Sequence, residues 1–397
     1  AKRGCFLGLM WIRSFVALGL ASLVLGFVHL GIIMKFDRLR ALTEEAGVLI
    51  HWVYGLWFAA DALDIKCEIP CKQLPFPGTG LGKADVLVSF PMVRVPERNS
   101  RHAIEVGYTQ ESMRGYGGRE AKYYDATSTM DLRSTVPWTY FNWQNFRTLQ
   151  KQRMQQPQTF PGFHERQPKA VFVCSNCNGI IRSQLLTELA HAGVPVDSIA
   201  ACKPNGTSRV GWPSGINVSD KHGALKKYRV YMAFENEMES GYVTEKIMDG
   251  YDAGNVNVYL GAPDISDYVP SDSFIDARGA IGENGTIVRE GVQALALKIK
   301  AALYDEQAWN NYFKPLNEPM SEWNAGNYEK KWSWSKEPIA GQCRLCRLAF
   351  ARRAKGGRFN ETTQQVEGVL PPPIGDDFWR TTWRSSAAKV EVPQKRR

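Results

Sequence analysis

Charged residues crowd the loop and the helix start in the stretch from Tyr228 to Asp276, where a nucleotide would bind; Glu245 and Lys246 stand at that helix start, and Arg182 lies upstream. The free N–H groups at a helix start attract phosphate. Lys246 falls in such a first turn and adds a full positive charge there. Glu245 would repel a diphosphate, but it suits a sugar by accepting hydrogen bonds from two hydroxyls. The plainer reading makes Glu245 and Lys246 an exposed helix pair. Arg182 also falls in a predicted first turn, where the helix dipole disfavours a cation. A bound anion would make that placement favourable; the alternative is a solvent-exposed arginine.

The elements that must position these residues are visible in the pattern. Tyr228–Phe234 alternates and is rich in β-formers, so it predicts a strand. Glu235-Asn236-Glu237 ends it in a polar loop. From Tyr242 the spacing of Val243, Ile247 and Tyr251 predicts a helix, and Gly254 stops it. Val256–Leu260 reads as a short apolar strand closed by the turn Gly261-Ala262-Pro263. This is a β-loop-α-β unit of a doubly wound α/β sheet, whose ligands lie at the carboxyl ends of the strands. Upstream, Ala170–Cys174 predicts a strand, Ser175–Gly179 a polar loop, and Ile180–Ala192 a helix ended by Gly193. Gly47–Phe58, Asp85–Phe90 and Ala103–Tyr108 predict strands of an earlier domain, with an aromatic-rich stretch at Tyr140–Trp143. Lys151–Pro168 reads as an interdomain linker, and Val292–Tyr304 as an amphipathic helix. The sequence turns polar after Arg347 and Pro-rich at Pro371–Pro373, which predicts a loose basic tail.

The chain has 397 residues, 44% of them hydrophobic, and a formal net charge of +9. Its basic residues form no single block, and no helix-turn-helix, zinc-finger or RNP signature is present, so no nucleic-acid partner is expected. Ser14–Met34 carries no charge and at 1.5 Å per residue spans roughly 30 Å, enough for a bilayer core. The expected organisation is a cytoplasmic tail (1–13), a signal anchor (14–34), a stem (35–46), a first domain (47–160), a second domain (161–337) and a C-terminal segment (338–397). A cleaved signal peptide is the alternative for the apolar run. Asn205, Asn217, Asn284 and Asn360 begin N-glycosylation triplets, which favours a lumenal catalytic region. The two C-x2-C pairs lie far apart without histidine partners, which argues against zinc. Disulfides are the expectation in an oxidising lumen: Cys177 with Cys202, and the Cys67/Cys71 group with the Cys343/Cys346 group. Cys174, on a buried strand, would remain free.

The segment Ala170–Trp334 resembles the donor domain of the α-1,3-fucosyltransferases, glycosyltransferase family 10. The match rests on Ala233–Asn236 with Tyr242–Lys246 (AFEN…YVTEK), on Ser175–Cys177 with Arg182, and on Cys343-Arg-Leu-Cys346. It is fainter in the first domain, at Gly107–Ser112 and at Tyr140–Trp143, which is similar to the family's aromatic strand. Plant-type enzymes acting on the N-glycan core are the nearest likeness. The chain departs from the pattern at Asn255–Leu260, which lacks a proline, and at Met113 after Glu111-Ser112. The resemblance implies a GT-B fold of two Rossmann-like domains facing across a cleft, preceded by the transmembrane helix, with GDP-L-fucose as donor. It implies that Tyr242, Glu245 and Lys246 hold ribose, fucose and diphosphate. Arg182 would pair with the diphosphate, and Glu235 and Asn236 would shape the fucose side. Glu111 is the implied general base, with Glu105 and Glu120 as nearby substitutes. No Asp-x-Asp motif lies near the site, so no tightly bound metal is expected, although a divalent cation could stimulate.

The acceptor expected from the resemblance is the Asn-linked core GlcNAc of a glycoprotein, in an inverting α-1,3 transfer at the Golgi membrane. The alternatives are a Lewis-type enzyme acting on terminal N-acetyllactosamine and a non-catalytic glycan- or nucleotide-sugar-binding protein.

Overall fold

The computed structural model describes residues 47–53, 63–65, 67–74, 84–90, 103–112, 123–177, 179–202, 204–317, 341–354 and 356–368. The expected tail, anchor and stem (residues 1–46) lie outside the described residues, as do Glu120 and Pro371–Pro373. Among the described residues no helix is long and apolar enough to cross a membrane.

The first part of the chain forms β1 (Val48–Trp52), β2 (Leu63–Ile65), β3 (Cys71–Leu74), β4 (Val86–Ser89), β5 (Ile104–Thr109) and β6 (Ala126–Thr129). They make one sheet of order β2-β3-β1-β4-β5-β6, parallel except for the β2–β3 pair. Described residues of β4 and β5 are buried on both faces, as expected of parallel strands covered on each side.

Helix α1 (Trp143–Gln155) follows, and it corrects two expectations. Tyr140–Trp143 is not a strand: Asn142 Oδ1 accepts the Asn145 N–H at 3.0 Å and caps the helix that begins at Trp143. Nor is Lys151–Pro168 a linker, because the helix runs through Gln155 and β7 (Gln167–Val173) begins soon after. Trp143, Phe146 and Leu149 are buried one helical turn apart and pack, with Phe141, into the core of the second sheet.

That second unit continues with α2 (Ile180–His191), β8 (Val196–Ile199), β9 (Ser208–Arg209), α3 (Lys221–Leu225), β10 (Tyr228–Phe234), α4 (Glu245–Ala253), β11 (Val256–Leu260), β12 (Phe274–Asp276) and α5 (Arg289–Tyr304). Two short helices, α6 (Glu306–Asn311) and α7 (Lys314–Asn317), close it. Its sheet has the order β12-β11-β10-β7-β8-β9 and is parallel throughout. The order reverses between β7 and β10, so the crevice at their carboxyl ends is the topological switch point. Helix α4 starts at Glu245, later than the expected Tyr242. Thr244 is its extended N-cap residue, and Gly254 ends it in the left-handed conformation at φ 72°.

In the stretch after α4, where the sequence lacks the proline of the family pattern, two buried asparagines sit. Asn255 Nδ2 donates to Leu225 O and Tyr228 O at 2.9 and 2.6 Å, and Asn257 Nδ2 donates to Ile247 O at 3.0 Å. A Cβ at Gly250 would lie 1.7 Å from Asn257 Oδ1, so the helix can approach the strand only with glycine there.

The C-terminal segment is not a loose tail over its described part. Helix α8 (Gly341–Arg353) and the hairpin β13 (Arg358–Asn360)–β14 (Gln365–Glu367) pack on the first sheet. Disulfides Cys67–Cys343 and Cys71–Cys346 tie α8 to that sheet, and Cys177–Cys202 closes a loop in the second unit. Cys174 is free and buried. Three arginines of α8 find partners on the first unit and the hairpin: Arg344 on Pro137 O, Arg347 on Gln364 O and the Glu68 carboxylate, and Arg353 on Gly47 O and on Asp85 Oδ1 at 3.1 Å. The two packed units therefore exchange segments. The chain from Phe141 serves the second core, and the chain from Gly341 returns to the first.

Candidate active site

Two of the expected donor-side residues meet at the switch point. The loop after β7 and the first turn of α2 carry Arg182; the residue after β10 is Glu235, followed by Asn236. Arg182 is 2% exposed, which rules out the solvent-exposed alternative. Its guanidinium donates to Asn236 Oδ1 and Asn176 O. Among the described residues it has no carboxylate partner. A buried guanidinium held only by neutral oxygens keeps its charge uncompensated, and such a charge is costly unless an anion meets it. Gly179 makes the pose possible, because a Cβ there would lie 2.5 Å from Arg182 Nε.

Lys246 is arranged differently. Its Nζ lies 3.0 Å from Glu235 Oε2, 2.8 Å from Thr244 Oγ1 and 3.4 Å from Glu245 Oε1. Glu235 is fully buried and also accepts from Thr244 N–H at 2.9 Å and Thr244 Oγ1 at 2.7 Å. Burial pushes the Glu235 carboxyl up, against the pull of Lys246 and the Thr244 bonds. Burial also works against the Lys246 charge, but Glu235 and then Glu245 outweigh it and hold the ammonium above its ordinary value. The Glu245 side chain is 53% exposed at the helix mouth. Glu245 and Lys246 are thus not a simple exposed pair: one faces out and the other anchors the N-terminus of α4.

Glu111 follows β5 in the first unit, and its backbone is fixed by Thr109. Thr109 Oγ1 accepts Glu111 N–H at 2.9 Å and donates to Glu111 O at 3.1 Å. Its Oε2 accepts from the Tyr242 hydroxyl across the two units at 3.0 Å. Burial, then the Glu111 carboxylate, raises the Tyr242 phenol well above its ordinary value, so it remains a donor. Both side chains line a cavity of about 250 Å³ with Ser112, Tyr124, Thr127, Thr129, Asp131, Arg133 and Glu239 among its walls. Arg182, Glu235, Asn236, Glu245 and Lys246 do not line it. The substitute Glu105 is buried within β5 and stands outside the cavity.

Ser112, the end of the stretch that resembles the family in the first domain, donates to Glu239. Glu239, Ser240, Gly241 and Asp264 had no role in the sequence reading: Asp264 accepts from Ser240 Oγ at 2.8 Å and from Gly241 N–H at 3.0 Å. Gly241, at φ 81°, would place a Cβ 2.7 Å from the Asp131 Cα. The one sequence signal was the glycine itself, in a polar loop between a strand and a helix. Among the described residues no group of three His, Cys, Asp or Glu is arranged to hold a metal ion.

The family model for glycosyltransferase family 10 (fucosyltransferase), C-terminal part, matches residues 163–365. The chain belongs to glycosyltransferase family 10. A fucosyltransferase-like protein of Arabidopsis thaliana is 31% identical over 288 residues, 70% of this chain and 48% of that protein. The GDP-fucose protein O-fucosyltransferase 3 of Rattus norvegicus is 26% identical over 284 residues, 68% of this chain and 53% of that protein. The chain therefore spans about half the length of these curated relatives. A crystal structure of an α1,3-fucosyltransferase with GDP-fucose covers 73% of this chain and 89% of its own, at 17% identity and a TM-score of 0.47. Arg182, Glu235, Asn236, Tyr242, Glu245 and Lys246 lie inside the family 10 segment, whereas Glu111 precedes it.

The four sequons differ in setting. Asn205, Asn217 and Asn284 are exposed, whereas Asn360 is half-buried and its Nδ2 already donates to Glu367 Oε1 at 2.6 Å. A glycan on Asn360 would compete with that bond.

Proposed function

We propose that this protein is an inverting glycosyltransferase that moves L-fucose from GDP-L-fucose in α-1,3 linkage to a GlcNAc of a glycoprotein glycan, the Asn-linked core GlcNAc foremost. The observation that carries the reading is Arg182: a buried, uncompensated guanidinium at the switch point of a parallel sheet. A nucleoside diphosphate matches that charge, and the planar fork suits phosphate oxygens. The name of the rat relative supports GDP-fucose as the nucleotide sugar. The two facing units are read as a GT-B arrangement.

In the proposed reaction the acceptor hydroxyl attacks C1 of β-linked fucose as the bond from C1 to the diphosphate oxygen breaks. The hydroxyl proton passes to the Glu111 carboxylate, and GDP leaves with the electron pair. Arg182, Lys246 and the N-terminus of α4 stabilise the departing diphosphate. Glu245, exposed at the helix mouth, accepts from fucose hydroxyls. Glu235 and Asn236 act from behind, by holding Lys246 and Arg182. A type II Golgi placement, with residues 14–34 as anchor, is supported by the exposed sequons and three disulfides.

A second reading is transfer to a protein hydroxyl, favoured by the similarity to protein O-fucosyltransferase 3 over 68% of this chain. The test is incubation with GDP-fucose and three acceptors: a GlcNAc-terminated N-glycan, N-acetyllactosamine, and a folded Ser/Thr-containing protein domain. Mass spectrometry with linkage analysis then reads the product. Core transfer is expected. Lactosamine transfer moves the protein to the Lewis branch, and protein transfer favours the second reading. GDP-fucose binding without transfer leaves a non-catalytic binding protein.

A further inference from the structure

Helix α4 carries Lys246 in its first turn, and α3 holds the same helix from outside the crevice. Asp249 stands one turn after Lys246. Its Oδ2 accepts from Lys221 Nζ at 2.6 Å, and its Oδ1 meets His222 Nε2 at 3.0 Å. Each oxygen of one carboxylate is thus committed to a different basic side chain of α3. Asp220 caps α3 by accepting Gly223 N–H at 2.8 Å, which fixes where Lys221 and His222 begin. The row continues inward. Lys221 Nζ lies 5.5 Å from the centre of the Tyr231 ring on β10. Tyr231 is buried and stands in the field of both Lys221 and Lys246, and Lys246 ends on Glu235. A continuous row of charged and polar groups therefore connects the surface at His222 to the donor crevice.

We propose that this cluster is a pH-sensitive brace, in which the proton on His222 raises the affinity of the first turn of α4 for a nucleotide sugar. The proposal rests on that crevice receiving a nucleoside diphosphate. His222 faces Asp249 and Asp252 from α4 and Lys221 from its own helix, while β10 contributes Tyr231 beside Lys221. Two carboxylates outweigh one ammonium, and the hydrogen bond to Asp249 is the foremost cause that raises the ring above its ordinary 6.5. The ring is half exposed, so it exchanges its proton with solvent. Protonated, it makes a charge-assisted bond that pins α3 to α4. Neutral, it leaves the Asp249 carboxylate to Lys221 alone. A diphosphate at the N-terminus of α4 favours added positive charge nearby, and by reciprocity the proton favours the diphosphate. Affinity is therefore highest below the ordinary histidine value and falls as pH rises through the higher folded value.

The test is calorimetric titration of the full chain with GDP-fucose, without acceptor, from about pH 6 to pH 8. It is run on the wild type, His222→Gln and Asp252→Asn. GDP-fucose replaces GDP because its diphosphate is esterified at both ends and does not itself titrate in this range. Wild-type affinity is expected to fall by about fivefold across the range. His222→Gln should remove the fall. Asp252→Asn should keep most of it, because the bond to the ring is made by Asp249. A wild-type affinity indifferent to pH, an equal fall in His222→Gln, or a loss in Asp252→Asn as complete as in His222→Gln would overturn the proposal. Absence of binding at every pH would sink the nucleotide-sugar reading alone. The brace is then read by amide exchange in the ligand-free chain, corrected for intrinsic rates. Exchange in α4 relative to α2 should quicken as pH rises in the wild type and be fast throughout in His222→Gln. Identical behaviour of the two proteins would overturn the brace.

Discussion

At the scale of single residues, the two cations of the donor crevice are held by opposite strategies. Arg182 is surrounded by neutral oxygens and keeps its charge for a ligand; Lys246 is offset by a buried carboxylate. The two should respond differently to substitution. Arg182→Gln removes a buried, uncompensated charge, so GDP affinity should fall at least tenfold while thermal stability holds or rises. Calorimetric titration and a melting curve on one preparation check both halves. Lys246→Met leaves the Glu235 carboxylate buried without its cation, held only by the Thr244 hydrogen bonds, and should cost about 3–5 kcal/mol of stability. Adding Glu235→Gln should restore much of that loss in chemical denaturation without restoring donor binding. Position in the pattern singled out Arg182 and Lys246, and the resemblance added Glu235. They did not distinguish a charge kept free from a charge neutralised, because that depends on which neighbours arrive from β7, β10 and the N-cap of α4.

At the scale of elements, the β10–α4–β11 unit was legible because its signals are local: strand alternation, helical spacing and Gly254. Helix α1 was not, because Gln and Arg dominate its sequence and its apolar residues gain meaning only against the second sheet. Helix α8 was misread for a related reason: Arg344 and Arg347 imply solvent, yet both are buried, Arg344 on a backbone oxygen and Arg347 on a backbone oxygen and the Glu68 carboxylate. Helix α4 is fixed from two sides. Asn257 meets it at Gly250, so Gly250→Ala should destabilise by about 1–3 kcal/mol or more through overpacking, read as a lower denaturation midpoint. From α3, Lys221 and His222 reach Asp249 at 2.6 and 3.0 Å. The hydrogen bond to Asp249 raises the His222 pKa above its ordinary 6.5. Folding therefore favours the protonated ring. Its contribution is fully present below the unfolded value and is lost as pH rises through the higher folded value. The histidine is half exposed, so the effect should be modest: the melting temperature should drop between about pH 6 and pH 8, and His222→Gln should flatten that drop.

For the whole molecule, the exchange of segments decides how stability is distributed. The first sheet has few helices of its own among the described residues and borrows α8, fastened by Cys67–Cys343 and Cys71–Cys346. Replacing Cys343 and Cys346 by alanine should cost about 2–5 kcal/mol or more. The loss should fall on the first unit. Amide exchange should accelerate in β1, β3 and β4 while β7, β10 and β11 stay protected, and equal acceleration in both sheets would contradict this partition.

That same borrowed helix reverses the order in which the ribosome can finish the protein. Among the described residues the elements of the second unit end at Asn317, so they can close ahead of α8; the first sheet, made earlier, must wait for Cys343 and Cys346 to emerge. Through that interval Cys67 and Cys71 are nascent-chain thiols without their partners, open to mispairing with each other or with Cys174. If the proposed lumenal placement holds, maturation is thus expected to depend on disulfide isomerase more than on oxidant. A pulse-chase with trapped mixed disulfides would show an intermediate in which the Cys177–Cys202 bridge is formed and the two bridges to α8 are not.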